Sequence, residues 1–125
     1  MTRDDLIVLA VDDDMINLKL LKSLLKKSGI VKEVVEASNG SDAIGVLKAR
    51  TDIDIVLLDI IMPVMGGIEM LKVVRADNNL YQPPIIVLTT DETRKAEALE
   101  VGANEFVTKP IRSDELIRKM KSVIV

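Results

Sequence analysis

The chain has no cysteine, no histidine and no tryptophan, and only one tyrosine and one phenylalanine among 125 residues. Without cysteine there are no disulfides and no thiol chemistry. Without histidine there is no Ser-His-Asp catalysis, no phosphohistidine carried by this chain and no usual zinc site. Any bound metal must be a hard cation held by oxygen. Two aromatic rings offer little to stack on a flavin or a base. No glycine-rich phosphate loop of the form G-x-x-x-x-G-K-[ST] occurs. The longest apolar run, Leu6 to Val11, falls far short of the roughly 20 residues that cross a bilayer. The start, Met1 to Asp5, is charged and leads directly into that short run, with Asp12 to Asp14 following. This is not the pattern of a signal peptide, and a cytoplasmic protein is expected. Twenty acidic and 17 basic residues leave a net charge of -3. So small an imbalance predicts no direct DNA binding and no membrane association.

What is present is a globular composition, 48% hydrophobic, on a length that fits one domain over residues 1–125. Short apolar runs alternate with longer stretches of helical period. Leu6–Val11, Ile55–Leu58 and Ile85–Leu88 are continuously apolar, as strands buried on both faces are. Val34-Val35 and Phe106-Val107 mark two weaker strands. Met15 to Ser28 is the clearest helix, with Leu18, Leu20, Leu21, Leu24 and Leu25 on one arc and Lys19, Lys22, Ser23 and Lys26 opposite. Gly29 is placed to end it. Ser41 to Arg50, Gly67 to Ala76, Thr93 to Val101 and Asp114 to Val123 are the other helices expected. Gly102 should end the fourth, and Ser113 should cap the fifth. Five βα units imply an α/β fold: a doubly wound, five-stranded parallel sheet of order 2-1-3-4-5, with five helices on its two faces.

In such sheets, sites lie at the carboxyl ends of the strands. The first strand ends in Asp12-Asp13-Asp14, the third in Asp59, the fourth in Thr89-Thr90-Asp91 and the fifth in Lys109-Pro110. Carboxylates converging at one sheet edge repel, and a hard divalent cation relieves them. Lys109 adds a cation and Thr89 a hydroxyl, which together suit phosphoryl transfer to a carboxylate. Each residue alone has a plainer reading. Three aspartates after a strand can be a solvated turn or a helix start. Asp59 can be a turn former, and Lys109 a solvated loop lysine. Met62 and Met65 read as packing residues. It is the joint placement at four strand ends that favours a site.

The chain resembles the receiver domains of bacterial response regulators, including the single-domain chemotaxis and sporulation types. The resemblance covers nearly the whole length. It rests on Val11-Asp12-Asp13, on Leu57 to Gly67, on Pro84 to Thr89 and on Gly102 to Pro110, in that order. It implies a flavodoxin-like fold, with Asp59 as phosphoacceptor. Asp12 and Asp13 match the acidic pair that holds Mg2+ (or Mn2+ in its place), with Asp59 and the backbone carbonyl of Ile61 completing the protein ligands. Thr89 matches the switch hydroxyl, Lys109 the phosphoryl-contacting lysine, and Phe106 the switch aromatic. The peptide bond before Pro110 matches one that is usually cis. The implied role is that of a two-component phosphorelay protein. It is not an enzyme on other substrates, but it assists its own phosphorylation and dephosphorylation. Its expected partners are a histidine kinase or histidine phosphotransfer domain and a downstream protein. That protein would read the face of the fourth helix, fifth strand and fifth helix. The alternative is a receiver domain of a larger transcription factor, hybrid kinase or output enzyme.

Five departures from the family pattern stand out, one being that Phe106 lacks the hydroxyl of the more usual tyrosine. Asp14 is a third acid beside the pair. Gly66 stands where a polar residue is common. Thr90 replaces a smaller residue and narrows access to the acyl phosphate. The stretch from Thr89 to Lys109 is slightly short, which bears on the fourth helix.

Overall fold

The computed structural model describes residues 4–60, 65–80 and 82–124. Five parallel strands, β1 (Leu6–Val11), β2 (Val31–Ala37), β3 (Ile55–Asp59), β4 (Ile85–Thr89) and β5 (Glu105–Thr108), form one sheet. Its order is β2-β1-β3-β4-β5. The helices are α1 (Met15–Lys27), α2 (Gly40–Ala49), α3 (Gly67–Ala76), α4 (Lys95–Glu100) and α5 (Ser113–Val123).

The continuous apolar runs have the expected cause. Along β1, Leu6, Val8 and Ala10 pack with α1 and α5, whereas Leu9 and Val11 pack with α2 and α3. Successive residues point to opposite faces, so a strand covered on both faces needs apolar residues throughout. In β3 and β4 the same split sends Leu57 and Ile86 one way and Val56, Leu58 and Val87 the other. The edge strand β2 keeps only Ala37 fully buried, which is why its signal in the sequence is weak.

Several boundaries differ from expectation for local reasons. Helix α2 starts one residue early, at Gly40, because the Asn39 side chain accepts from the Asp42 N–H. The fourth helix is not one piece from Thr93 to Val101. A three-residue 3₁₀ turn, Glu92–Arg94, precedes a six-residue α4 whose sole buried residue is Ala98. The Asp91 carboxylate accepts from the Thr93 N–H at 3.0 Å, and the Asp91 carbonyl accepts from the Arg94 N–H at 3.2 Å, which tightens the first turn. Ser113 does not cap α5; it is the first helical residue, and the cap position is Arg112, with no side-chain cap bond. Leu20, expected on the buried arc of α1, is 66% exposed. It lies on the flank of the stripe formed by Leu18, Leu21 and Leu25, about 100° from Leu21. Gly29 and Gly102 do end their helices, with φ of 77° and 118°.

Gly67 sets the approach of α3 to the end of β3. A Cβ there would lie 2.6 Å from both the Asp59 carbonyl oxygen and the Ile60 Cα. The Gly67 N–H donates to the Ile60 carbonyl at 3.1 Å. Gly45, exposed in the middle of α2, has nothing within 4 Å of its Cβ position. The two glycines should therefore respond oppositely to alanine. Gly67→Ala is expected to lower stability by about 1–3 kcal/mol through overpacking against backbone. Gly45→Ala is expected to raise it by about 0.5–1 kcal/mol by removing unfolded-state freedom. Urea unfolding of the two variants checks both signs.

Candidate functional site

The ends of β1, β3, β4 and β5 come together as the sheet order requires. Two site residues continue the ladder just past their strands: the Asp12 N–H donates to the Ala37 carbonyl at 3.1 Å, and the Lys109 N–H to the Thr89 carbonyl at 2.8 Å. Asp12, Asp13 and Asp59 each offer a carboxylate oxygen, all within 4.8 Å of one another. Asp12 is buried and Asp13 exposed. The Lys109 Nζ donates to Asp12 Oδ2 at 3.2 Å and lies 3.8 Å from Asp59 Oδ2. Its side chain is only 17% exposed. A largely covered cation between two acids offsets part of their repulsion and desolvation.

The third acid of the run has a separate task. Asp14 Oδ1 accepts from the Ile16 N–H at 2.8 Å and the Asn17 N–H at 3.4 Å, so Asp14 is the N-cap of α1. Its own N–H donates to Asp12 Oδ1 at 2.9 Å, which orients that carboxylate. The ambiguity over which acids form the cluster is thereby resolved in favour of Asp12 and Asp13.

Thr89 is 1% exposed, and its Oγ1 accepts from the Asp91 N–H at 3.2 Å. Hydrogen bonds from the Thr93 hydroxyl and N–H hold the Asp91 carboxyl below the usual carboxylate range. Thr90 is exposed beside it. Phe106 is already packed inward, 3% exposed, with its carbonyl accepting from Lys119 Nζ at 2.7 Å. The Lys109–Pro110 bond is cis. Ile61 and Met62 lie outside the described residues. Met65 packs against the α2–α3 side of the core, and its carbonyl accepts from the Gly40 N–H.

The acidic cluster opens into a cavity of about 720 Å³. Asp12, Asp59, Thr89, Thr90 and Lys109 line its polar end, and Leu20, Leu21, Leu24 and Ile111 its apolar wall. Asn17 also lines it. The expected site residues included neither Asn17 nor the apolar wall. The available signal was Asn17's spacing of three, four and seven residues from Leu20, Leu21 and Leu24. A second cavity, of about 450 Å³, lies over α4, β5 and α5 and includes Glu92, Lys95, Phe106, Arg112 and Lys119. No helix among the described residues is long and apolar enough to cross a membrane.

Known proteins share this fold. A family model described as the response regulator receiver domain matches residues 8–121. The chemotaxis protein CheY1 of Helicobacter pylori strain J99 is 37% identical over 120 residues, which span 94% of this chain and 95% of that protein. The structure of Vibrio cholerae chemotaxis protein CheY4 superposes with a TM-score of 0.82 at 32% identity, covering 94% of this chain and 98% of that one. The receiver domain of the sensor histidine kinase PA1611 from Pseudomonas aeruginosa has a magnesium ion coordinated in its active-site cleft. It superposes with a TM-score of 0.84 at 26% identity, covering 95% of this chain and 97% of that one. This chain belongs to the response regulator receiver domain family and is a receiver of the two-component type.

Proposed function

We propose that the chain accepts a phosphoryl group on Asp59 from a phosphohistidine and thereby switches its α4–β5–α5 face. The observation that carries this reading is the cluster itself. Three carboxylates have oxygens within 4.8 Å of one another, and two of them, Asp12 and Asp59, face a largely buried lysine and line an open cavity. A purely structural arrangement gains nothing from such crowding, since the charges repel.

The donor set suits magnesium. It is all oxygen and carries at least two carboxylates at one side of an open space, which leaves coordination positions for water and a phosphoryl oxygen. Asp12, Asp13 and Asp59 would hold the ion, with the Ile61 carbonyl as the further ligand that the family pattern gives; Mn2+ would serve in its place. When bound, it neutralises charge on the cluster and on the phosphoryl oxygens. Asp59 supplies the nucleophile. One of its oxygens forms the new bond to phosphorus, the bond from phosphorus to the donor nitrogen breaks, and the imidazole leaves with the electron pair. Lys109 is placed to pair with an equatorial oxygen of the transferred group. The Thr89 oxygen accepts from Asp91, so its own proton remains to be donated to a phosphoryl oxygen. Exposed Thr90 narrows the approach of water to the acyl phosphate. The chain thus assists its own phosphorylation and dephosphorylation rather than acting on a separate substrate.

The donor is a histidine kinase or a histidine phosphotransfer domain. Met15, Ile16 and Leu20 of α1 are 72%, 69% and 66% exposed, and Leu20 lines the cavity. Bare apolar side chains there suit docking of a partner's helices. The output partner is a protein that reads the polar cavity over α4, β5 and α5 through Phe106 and its neighbours. The location that goes with these partners is cytoplasmic. A receiver inside a longer protein is the second reading, favoured by the likeness to the PA1611 receiver, which is part of a sensor histidine kinase. The stop codon of the natural gene decides between the two.

Acetyl phosphate with Mg2+ should give a single phosphoryl adduct by intact mass, absent in Asp59→Asn. An adduct that persists in that variant would falsify the assignment. Magnesium should also stabilise the fold by mass action, by about 2.7 kcal/mol at a hundredfold excess over its dissociation constant. Chemical unfolding with and without Mg2+ measures this. The increment should vanish in Asp13→Asn, and an undiminished increment there places the ion elsewhere.

A further inference from the structure

The cavity wall contributed by α1 is a stripe at helical spacing: Asn17, Leu20, Leu21 and Leu24, at i, i+3, i+4 and i+7. Three of its four members are leucines. The fourth is a carboxamide, and it stands at the end nearest the acidic cluster, on the first turn after the Asp14 cap. Asn17 is half-buried. Its backbone N–H is used by the cap. Its side-chain amide makes no hydrogen bond to any of the described residues, although Asp12, Asp59, Thr90 and Lys109 line the same cavity. An amide in this position forgoes the apolar packing of its leucine neighbours and gains no partner within the fold. Such a group is available to a ligand.

We propose that the Asn17 carboxamide binds the leaving group of the phosphodonor. This rests on Asp59 being the phosphoacceptor. The phosphoryl oxygens are already provided for by Lys109, the Thr89 hydroxyl and the cation that the acids would hold. The unserved part of the donor is the group departing on the far side of phosphorus, toward the open cavity and its α1 wall. A carboxamide has both a donor and an acceptor and suits two kinds of leaving group. For a donor protonated on the far ring nitrogen, Asn17 Oδ1 accepts from that N–H. The P–N bond breaks, its electron pair stays on the departing nitrogen, and neutral imidazole leaves. For an acyl phosphate, Asn17 Nδ2 donates to the acyl oxygen as the P–O bond breaks and the carboxylate departs with the electron pair. In both cases Asp59 forms the new O–P bond, and no further reactant is needed.

The test compares donors whose leaving groups differ in reach. Acetyl phosphate and phosphoimidazole present an oxygen or a ring nitrogen to the α1 wall. Phosphoramidate releases only ammonia, which has nothing to extend that far. With Mg2+ present, Asn17→Ala should slow phosphorylation by acetyl phosphate and phosphoimidazole about five- to tenfold, the worth of one neutral hydrogen bond. The rate with phosphoramidate, the Mg2+ affinity and the hydrolysis of the finished acyl phosphate should each stay within about twofold. Asn17→Leu completes the leucine stripe and preserves the helix, so it should behave as the alanine variant does. Equal slowing with all three donors overturns the proposal in favour of a structural role, and so does no slowing with any. A wild-type chain that takes no phosphoryl group from any donor, or an Asp59→Asn chain that still does, overturns instead the assignment of Asp59 on which this rests.

Discussion

Three carboxylates held together at the edge of a parallel sheet are the constraint around which this molecule is arranged. Two unit charges no more than 4.8 Å apart repel by at least about 3 kcal/mol at an effective dielectric of about 20. That is a large fraction of the net stability of a small domain. Lys109 answers part of it from within, at 3.2 Å from Asp12 and 3.8 Å from Asp59. The backbone answers another part: the Asp14 N–H donates to Asp12 Oδ1 at 2.9 Å. What remains is an incentive to bind something positive.

The rest of the fold makes the crowding tolerable by making it rigid. Asp12, Asp59, Thr89 and Lys109 leave the ends of four neighbouring strands, so none can move away without breaking the ladder. Those strands are buried on both faces, with Leu9, Val56 and Val87 on one side and Val8, Leu57 and Ile86 on the other. The glycine at residue 67 lets α3 press against the backbone of Asp59 itself. Packing of this density resists the small displacements by which like charges would otherwise relax.

The apolar runs made the three central strands legible, because doubly covered strands have little choice of composition, and helical period marked the five helices. The four-residue core of the site was legible for a related reason: strand ends in a parallel sheet are where unlike segments must meet. Ladder registers and helix caps were less so. Asp14 could be read as a ligand or as a cap, and only its bonds to Ile16 and Asn17 decide. Leu20 fitted the apolar arc, yet an arc drawn from one helix cannot say how wide a neighbour covers it. Ser113 had the chemistry of a cap but fell one position inside the helix. The broken fourth helix follows from Asp91 and Thr93 bonding locally, a competition between side chain and backbone that hydrophobic period does not register.

That local bonding also connects the site to α4. The Asp91 N–H donates to the Thr89 hydroxyl, the Asp91 carboxylate caps the turn Glu92–Arg94, and that turn leads directly into α4. On the proposed reading, a phosphoryl group on Asp59 draws the Thr89 hydroxyl toward it and competes with the bond from Asp91. The element at the end of this chain is the one least able to resist. Helix α4 is six residues long and buries only Ala98, whereas α3 buries Gly67, Ile68, Met70, Leu71 and Val74. On that reading, a signal generated at the doubly covered strand ends is delivered to the most lightly held helix. A difference of one hydrogen bond, about 1 kcal/mol, is enough to shift a population there and too little to disturb the sheet. Phe106 sits between the two, buried beneath α4 on β5 and lining the polar cavity of that face. On the same reading, a rearrangement of α4 would change the cover over this ring and turn a charge added at the sheet edge into a change of shape on the surface.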